Sequence, residues 1–222
     1  MSPPRVAVPL ALLLTLAALT AAQQRFPGSC PRPPIVQKFQ VRRYLGHWFE
    51  YARYVTVFQR GLRCSRAEYS DAREGRIGVV NRAIRIADGS TTEARGQAVP
   101  VGRPGEASLR VSFDGQPSRG TEANYNVLET DYKRYAIVWS CTSRGVGEQK
   151  NLENEQLLFV LTRARVPSQR LLRRIMRRLQ RLGLNTEKLI KTDQENCSKL
   201  DKIIAGKSRK AAILKLCSLK HH

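Results

Sequence analysis

The chain has 222 residues, with 39 Lys and Arg against 18 Asp and Glu, which gives a formal net charge of +21. This length suffices for one domain with a sizeable core. The positive potential would attract anions, such as anionic lipid, sulfated glycan, lipopolysaccharide or nucleic acid, although such charge can also serve solubility alone. With only three His and no Cys-x-x-Cys spacing, we predict no metal site and no cofactor.

The first 22 residues predict a secretory signal peptide. Arg5 precedes an apolar run from Leu10 to Leu19, and Thr20-Ala21-Ala22 supplies small residues for cleavage. The run is too short to span a bilayer as a helix. We therefore expect a secreted, extracellular protein with one domain over residues 23–197 and a basic tail over residues 198–222.

Short strand patterns follow a proline-rich lead-in over residues 25–43. They alternate or are rich in β-branched residues, and Gly, Asp and Pro separate them, as in an antiparallel sandwich or barrel. The eight predicted strands are Trp48–Phe58, Cys64–Ser70, Ile77–Ile86, Thr91–Val101, Leu109–Phe113, Tyr125–Glu129, Tyr135–Cys141 and Leu157–Arg163.

A helical period replaces the strand pattern after Pro167. Apolar residues recur at helical spacing over Gln169–Leu182, and Gly183 could end the helix. Its other face is basic, through Arg170, Arg173, Arg174, Arg177, Arg178 and Arg181. Lys188–Thr192 could add a strand, and the tail has a second, weaker helical pattern.

Three motifs are spread along this order of elements: Gly46-x-Trp48, Thr130-Asp131-Tyr132 and a late Arg163. Together they resemble the lipocalin family. The resemblance implies an eight-stranded antiparallel up-and-down β-barrel with one C-terminal α-helix packed outside. It also implies that Trp48 closes the barrel floor and that Arg163 packs across the indole, a favourable cation–π contact. We expect these motif residues to be structural.

The five cysteines are Cys30, Cys64, Cys141, Cys197 and Cys217. In an oxidising compartment they should pair, but spacing alone does not choose the pairs. Their sequence contexts resemble the apolipoprotein D-like branch of the lipocalins, which implies Cys30–Cys141 and Cys64–Cys197. Cys217 would then be left as a free thiol or link two chains in a disulfide-bonded dimer.

The implied disulfides also predict which side chains face inward. If Cys64 and Cys141 point out of the barrel, alternation turns Tyr69 and Val138 inward. With the apolar sets of the other strands, the predicted ligand-binding wall is Phe58, Tyr69, Leu109, Val111, Phe113, Val138, Leu157 and Phe159. Eight-stranded barrels either hold a small ligand or are filled by their own side chains, and the sequence leaves both open.

The resemblance favours a secreted carrier of a small hydrophobic ligand, such as a fatty acid, a sterol or a related lipid. The alternative is a binder of anionic surfaces, namely glycosaminoglycan, anionic membrane or lipopolysaccharide, through the arginine-rich helix and the tail. We predict no enzymatic activity, because no catalytic constellation is evident. No nucleic-acid-binding motif is present, and the signal peptide argues against that partner.

Overall fold

The computed structural model describes residues 24–116, 120–144 and 153–206. The predicted signal peptide, the end of the basic tail and Cys217 lie outside the described residues. Within them, the strands are β1 (Arg25–Pro27), β2 (Gly46–Arg53), β3 (Leu62–Asp71), β4 (Ile77–Arg85), β5 (Thr91–Pro100), β6 (Ser108–Phe113), β7 (Tyr125–Thr130), β8 (Tyr135–Arg144), β9 (Glu153–Thr162) and β10 (Ile190–Lys191). The helices are α1 (Val41–Tyr44) and α2 (Gln169–Arg181), and residues 198–206 are also helical.

Strands β2 to β9 pair in sequence order, every pair antiparallel, and β9 also pairs with β2. The described strands therefore close into the eight-stranded up-and-down barrel, and the predicted fold class is confirmed. Two short strands extend it, because β1 pairs with the start of β9 and β10 pairs with the end of β2. No helix in the described ranges has the length and apolar character needed to cross a membrane.

The first barrel strand is shorter than its sequence pattern predicted. The prediction ran to Phe58, but β2 ends at Arg53, and Val57–Gln59 forms a 3₁₀ turn. Local hydrogen bonds fold the segment back: Arg53 donates to the carbonyl oxygen of Gln59 (3.2 Å), and Gln59 donates to the carboxylate of Glu50 (2.6 Å). These polar contacts outweigh the apolar pattern, so the strand extension to Phe58 was wrong.

Helix α2 packs on the outer wall of the barrel. The Ser168 side chain caps its N-terminus by accepting from the backbone N–H of Leu171 (3.3 Å). Gly183 follows its C-terminus with a φ of +72°, a left-handed conformation that glycine adopts without strain. Ile175 and Leu179 are buried against outward-facing residues of the last two barrel strands, namely Ile137, Trp139, Leu158 and Val160.

Two disulfide bonds tie the flanking segments to the barrel: Cys30–Cys141 and Cys64–Cys197. They are the pairs that the resemblance implies. The second bond places the helical residues 198–206 against the outer wall, where Leu200 and Ile204 bury Ile84. In the chain-entropy model, a bridge that closes a loop of more than 100 residues stabilises the fold by about 4–5 kcal/mol.

One end of the barrel is closed by the lead-in and α1. Trp48 is fully buried there, and the guanidinium carbon of Arg163 lies 3.7 Å from the centre of its indole. The same guanidinium donates to the backbone carbonyl oxygens of Tyr132 (3.1 Å), His47 (2.8 Å) and Leu45 (2.9 Å). One side chain thus joins the start of β2, the turn after β7 and the end of β9.

The two other motifs shape the backbone around this arginine. Gly46 has a φ of +93°, and a Cβ there would lie 3.3 Å from the Arg163 Nη1. Thr130 and Asp131 accept backbone N–H groups of the 131–135 turn, which positions the Tyr132 carbonyl for Arg163. Partial burial opposes ionisation of Asp131, but hydrogen bonds from the Arg134 side chain and backbone outweigh it and lower its pKa.

We predict that Arg163→Ala lowers the free energy of unfolding by about 3 kcal/mol, because it removes a cation–π contact and leaves several carbonyl oxygens unpaired. Arg163→Lys should lose less, since it keeps the charge but not the planar fork. Urea unfolding followed by circular dichroism measures both. Arg170→Ala on the exposed face of α2 is the control and should change stability by no more than about 0.5 kcal/mol; an equal loss there would contradict the assigned role.

Candidate functional site

The interior of the barrel is the candidate site, because several of its inward side chains are only partly covered. Along β9, the outward-facing Leu158 and Val160 are 0% and 1% exposed beneath α2. Their inward-facing neighbours Leu157 and Phe159 are only half-buried. Inward-facing Leu161, which lies nearer to Trp48 on the same strand, is 5% exposed. The interior is therefore packed towards the closed end and reached by solvent towards the opposite end.

The predicted ligand-binding residues fall into three groups. Tyr69, Leu109 and Val138 are buried members of the interior cluster, and Val111, Phe113 and Phe159 pack against it while partly exposed. Leu157 shares the orientation of Phe159 on β9 and is half-buried. Phe58 stands apart: it lies in the 3₁₀ turn at the end opposite Trp48 and is 57% exposed.

A bulge interrupts β3 within the segment used to predict these orientations. The register with β4 shifts between Arg63 and Arg66, and Cys64 has a φ of +57°. Alternation resumes after the bulge, and Ala67 and Tyr69 belong to the interior cluster. The bulge therefore alters the strand only locally, and Tyr69 points into the barrel as alternation predicts.

Three tyrosine hydroxyls form a hydrogen-bonded chain inside the barrel above Trp48. The Tyr44 and Tyr125 hydroxyl oxygens are 2.7 Å apart, and those of Tyr69 and Tyr125 are 2.8 Å apart. Tyr44 and Tyr69 are buried, whereas Tyr125 is partly exposed. Sequence reasoning identified only Tyr69. Tyr125 could have been found from its inward parity with Val127, but Tyr44 lies in α1, where no strand alternation applies.

These hydroxyls remain neutral over a wide pH range. Burial raises the pKa of Tyr69 to about 12 and that of Tyr44 and Tyr125 well above the usual 10.0. Three hydroxyls carry three protons, and the two bonds between them use two. One O–H is therefore left to donate to another acceptor. The base of the interior therefore offers one neutral hydrogen-bond donor, a tyrosine O–H, surrounded by aromatic rings.

A buried carboxylate holds the barrel wall to the neighbouring segments. Glu50 of β2 accepts from Gln59 (2.6 Å) and from the hydroxyl of Thr192 (2.6 Å), and Arg53 lies 3.1 Å away. Burial raises the Glu50 pKa, and these partners only partly offset it. Through Glu50, the turn after β2 and the segment after β10 are fixed to the same strand.

The predicted anion-binding arginines divide between the two flanks of α2. Arg178 pairs with Glu129 (3.0 Å), and Arg174 lies 5.9 Å from the ring centre of Tyr135. The remaining four have no acidic partner among the described residues: Arg170, Arg173, Arg177 and Arg181. In the same ranges, no group of three or more His, Cys, Asp and Glu side chains could hold a metal ion.

Comparison with known proteins places this barrel beside characterised relatives. A family model described as a lipocalin-like domain matches residues 39–194. Apolipoprotein D of Macaca fascicularis is 38% identical over 196 residues, covering 84% of this chain and 96% of the relative. Outer membrane lipoprotein Blc of Escherichia coli (strain K12) is 39% identical over 132 residues, covering 57% of this chain and 72% of the relative.

Solved structures give the same architecture. The chain aligns with insecticyanin from the tobacco hornworm Manduca sexta with a TM-score of 0.66 and 21% identity, over 79% of this chain and 92% of that one. Apocrustacyanin C1 aligns with a TM-score of 0.63, also at 21% identity, over 78% of this chain and 92% of that one. At these identities the likeness concerns the fold alone.

We predict that alkaline pH destabilises the fold by ionising buried tyrosines. Their folded pKa values lie above 10.0, reaching about 12 for Tyr54, Tyr69 and Tyr135. Their contribution to stability is complete below pH 10 and is lost as the pH rises towards 12, by about 1.4 kcal/mol per pH unit for each tyrosine.

Tyrosinate absorbance and circular dichroism, recorded together, measure this loss. Tyr69→Phe removes one of these titrating hydroxyls. The slope of the unfolding free energy against pH should therefore fall by about 1.4 kcal/mol per pH unit. A full tyrosinate signal near pH 10 with the fold intact would contradict the prediction.

Proposed function

The chain belongs to the lipocalin family, and we propose that it carries a small hydrophobic molecule in its barrel, such as a fatty acid, a sterol or a related lipid. The observation that carries this proposal is the incomplete coverage of inward-facing Leu157, Phe159, Val111 and Phe113. Burying apolar ligand surface against such a wall contributes about 25 cal/mol per Å². Similarity to apolipoprotein D over most of the chain supports a lipid ligand.

The tyrosine chain restricts which polar group of the ligand can bind at the base of the barrel. Its spare O–H would donate to an acceptor oxygen that reaches the base of the barrel. Arg163 lies on the other side of Trp48, and the guanidinium is already bonded to backbone carbonyl oxygens. A carboxylate at the base would thus face neutral hydroxyls without a free cation, which is costly in a dry site. We propose that a hydroxyl, carbonyl or ester oxygen binds there, and that a fatty acid would instead place its alkyl end at the base and its carboxylate towards the open end of the barrel.

The proposed setting is extracellular, with the protein acting as a binder rather than an enzyme. Two disulfide bonds support an oxidising compartment. The predicted signal peptide supports export. The interior lining of apolar side chains and tyrosine hydroxyls suits binding and orientation, and the likeness to apolipoprotein D favours transport.

We predict that filling the interior abolishes ligand binding. Val111→Trp places a large ring on the inner face of β6, inside the barrel. Ser112→Trp places the same ring on the outer face of the same strand. Intrinsic fluorescence titration with a panel of fatty acids and sterols should give a saturable response in the unchanged protein and in Ser112→Trp, and none in Val111→Trp. No saturable response from any lipid in the unchanged protein would refute the proposed function.

Removing one hydroxyl tests the polar contact. Tyr125→Phe should weaken a ligand with a buried oxygen by about five- to tenfold, the loss of one hydrogen bond, and leave a pure hydrocarbon analogue unaffected. Tyr54→Phe is the matched control, because it removes an outward-facing hydroxyl that donates to the Asn185 carbonyl oxygen (2.9 Å). An equal loss for both ligands would show that Tyr125 acts through packing.

A second candidate function is attachment to an anionic surface such as glycosaminoglycan. The observation favouring it is the set of exposed arginines on α2 that have no acidic partner among the described residues. A dedicated site would retain the protein on heparin well above physiological salt, and replacing Arg170 and Arg181 by Gln should lower the eluting salt concentration. Elution near physiological salt would mean that the charge acts only as a general field.

A further inference from the structure

An open groove runs along the outside of the barrel, between one flank of α2 and the segment around β10. It consists of two adjoining clefts of about 540 and 500 Å³ that share Tyr51, Gln169 and Leu172. Each volume falls in the range of small-molecule sites. The groove is separated from the barrel interior by the strands of the wall.

The floor of this groove is apolar at the Met176 end, whereas the cleft around β10 is lined mainly by polar side chains. Tyr51 and Leu172 form its base, and Met176 and Val166 line its two ends with 36% and 83% of their surfaces exposed. From Gln169 to Arg177 the helix rises about 12 Å. An alkyl chain of that length could lie along the flank and cover side chains that now face water.

The charges differ between the two ends. Arg173 and Arg177 line the cleft with Met176, are exposed, and have no acidic partner among the described residues. At the other end Lys191, Asp193 and Glu195 line the cleft, and Arg165 there is already paired with Asp201 (2.6 Å). Cations without acidic neighbours are therefore concentrated at the Met176 end, which attracts an anionic group more strongly than the other end, where acidic and basic side chains are mixed.

We propose that this groove is a second binding site, outside the barrel, for a single-chain amphiphile with an anionic head group. The alkyl chain lies over Tyr51 and Leu172, and the head group sits between Arg173 and Arg177. The apolar floor provides the affinity, and the two guanidinium groups fix the orientation. The barrel interior instead favours neutral oxygen, so the two sites differ in chemistry as well as in place.

The sequence provides a direct reporter for the site. The chain has two methionines, Met1 and Met176, so ¹³C-methyl-methionine labelling gives one signal from the groove. Titration of the full chain with dodecanoate below its micelle concentration should shift the Met176 methyl resonance saturably. Dodecanol, which has the same alkyl chain without charge, should bind there at least about tenfold more weakly, since it loses the charge-assisted bonds.

Two double variants separate the groove from general charge. Arg173→Gln with Arg177→Gln should weaken dodecanoate at the Met176 signal by about tenfold or more. Arg170→Gln with Arg181→Gln removes the same charge from the same helix outside the groove, and should leave that affinity unchanged. An equal loss in both would refute a built site and indicate only long-range attraction.

The remaining outcomes are also decisive. Saturable tryptophan fluorescence without a Met176 shift would place dodecanoate in the barrel alone, which would overturn this inference but support the proposed function. A Met176 shift without any interior response to lipids would do the opposite. A shift that depends on protein concentration in the absence of dodecanoate would identify a second copy of the chain as the occupant and refute the amphiphile site.

Discussion

The barrel depends on the contact between Arg163 and the closed end. The planar guanidinium of Arg163 covers Trp48 and donates hydrogen bonds to carbonyl oxygens of three separate segments. No hydrophobic side chain could satisfy those oxygens, and a lysine lacks the fork geometry. Because the end is sealed by polar bonds beneath a buried indole, the interior above it need not be filled to hold the strands together. This separation allows some inward side chains away from the closed end to stay only partly covered.

Much of this architecture could be read from the sequence, since its signals are local. Alternation predicted the barrel strands, and the 3.6-residue period with Ser168 and Gly183 predicted α2. Phe58 was misplaced because the apolar pattern continues where the chain turns. The bonds that turn it join Gln59 to Glu50 and Arg53, and no local pattern reveals such pairing.

The site was harder to predict than the fold. Inward parity found Tyr69, but the hydrogen-bonded chain also needs Tyr44 from a helix and Tyr125 from a strand far along the sequence. The outer groove was missed for a related reason. The 3.6-residue spacing correctly predicted an apolar stripe on α2. The barrel wall, however, covers only part of the width of that stripe. Leu172 and Met176 lie at its margin, which only the packed structure reveals.

The Cys64–Cys197 bond also alters the connectivity of the molecule. Helix α2 lies between the last barrel strand and Cys197, so it is held at one end by backbone and at the other by sulfur. A backbone break in the 183–189 connection would leave two chains that are still covalently joined through β3. Only reduction together with such a break would release the C-terminal segment. Residues 64–197, which include most of the barrel strands and α2, thus form a closed covalent ring, and a single broken peptide bond in that connection would open the ring without separating the two parts of the chain.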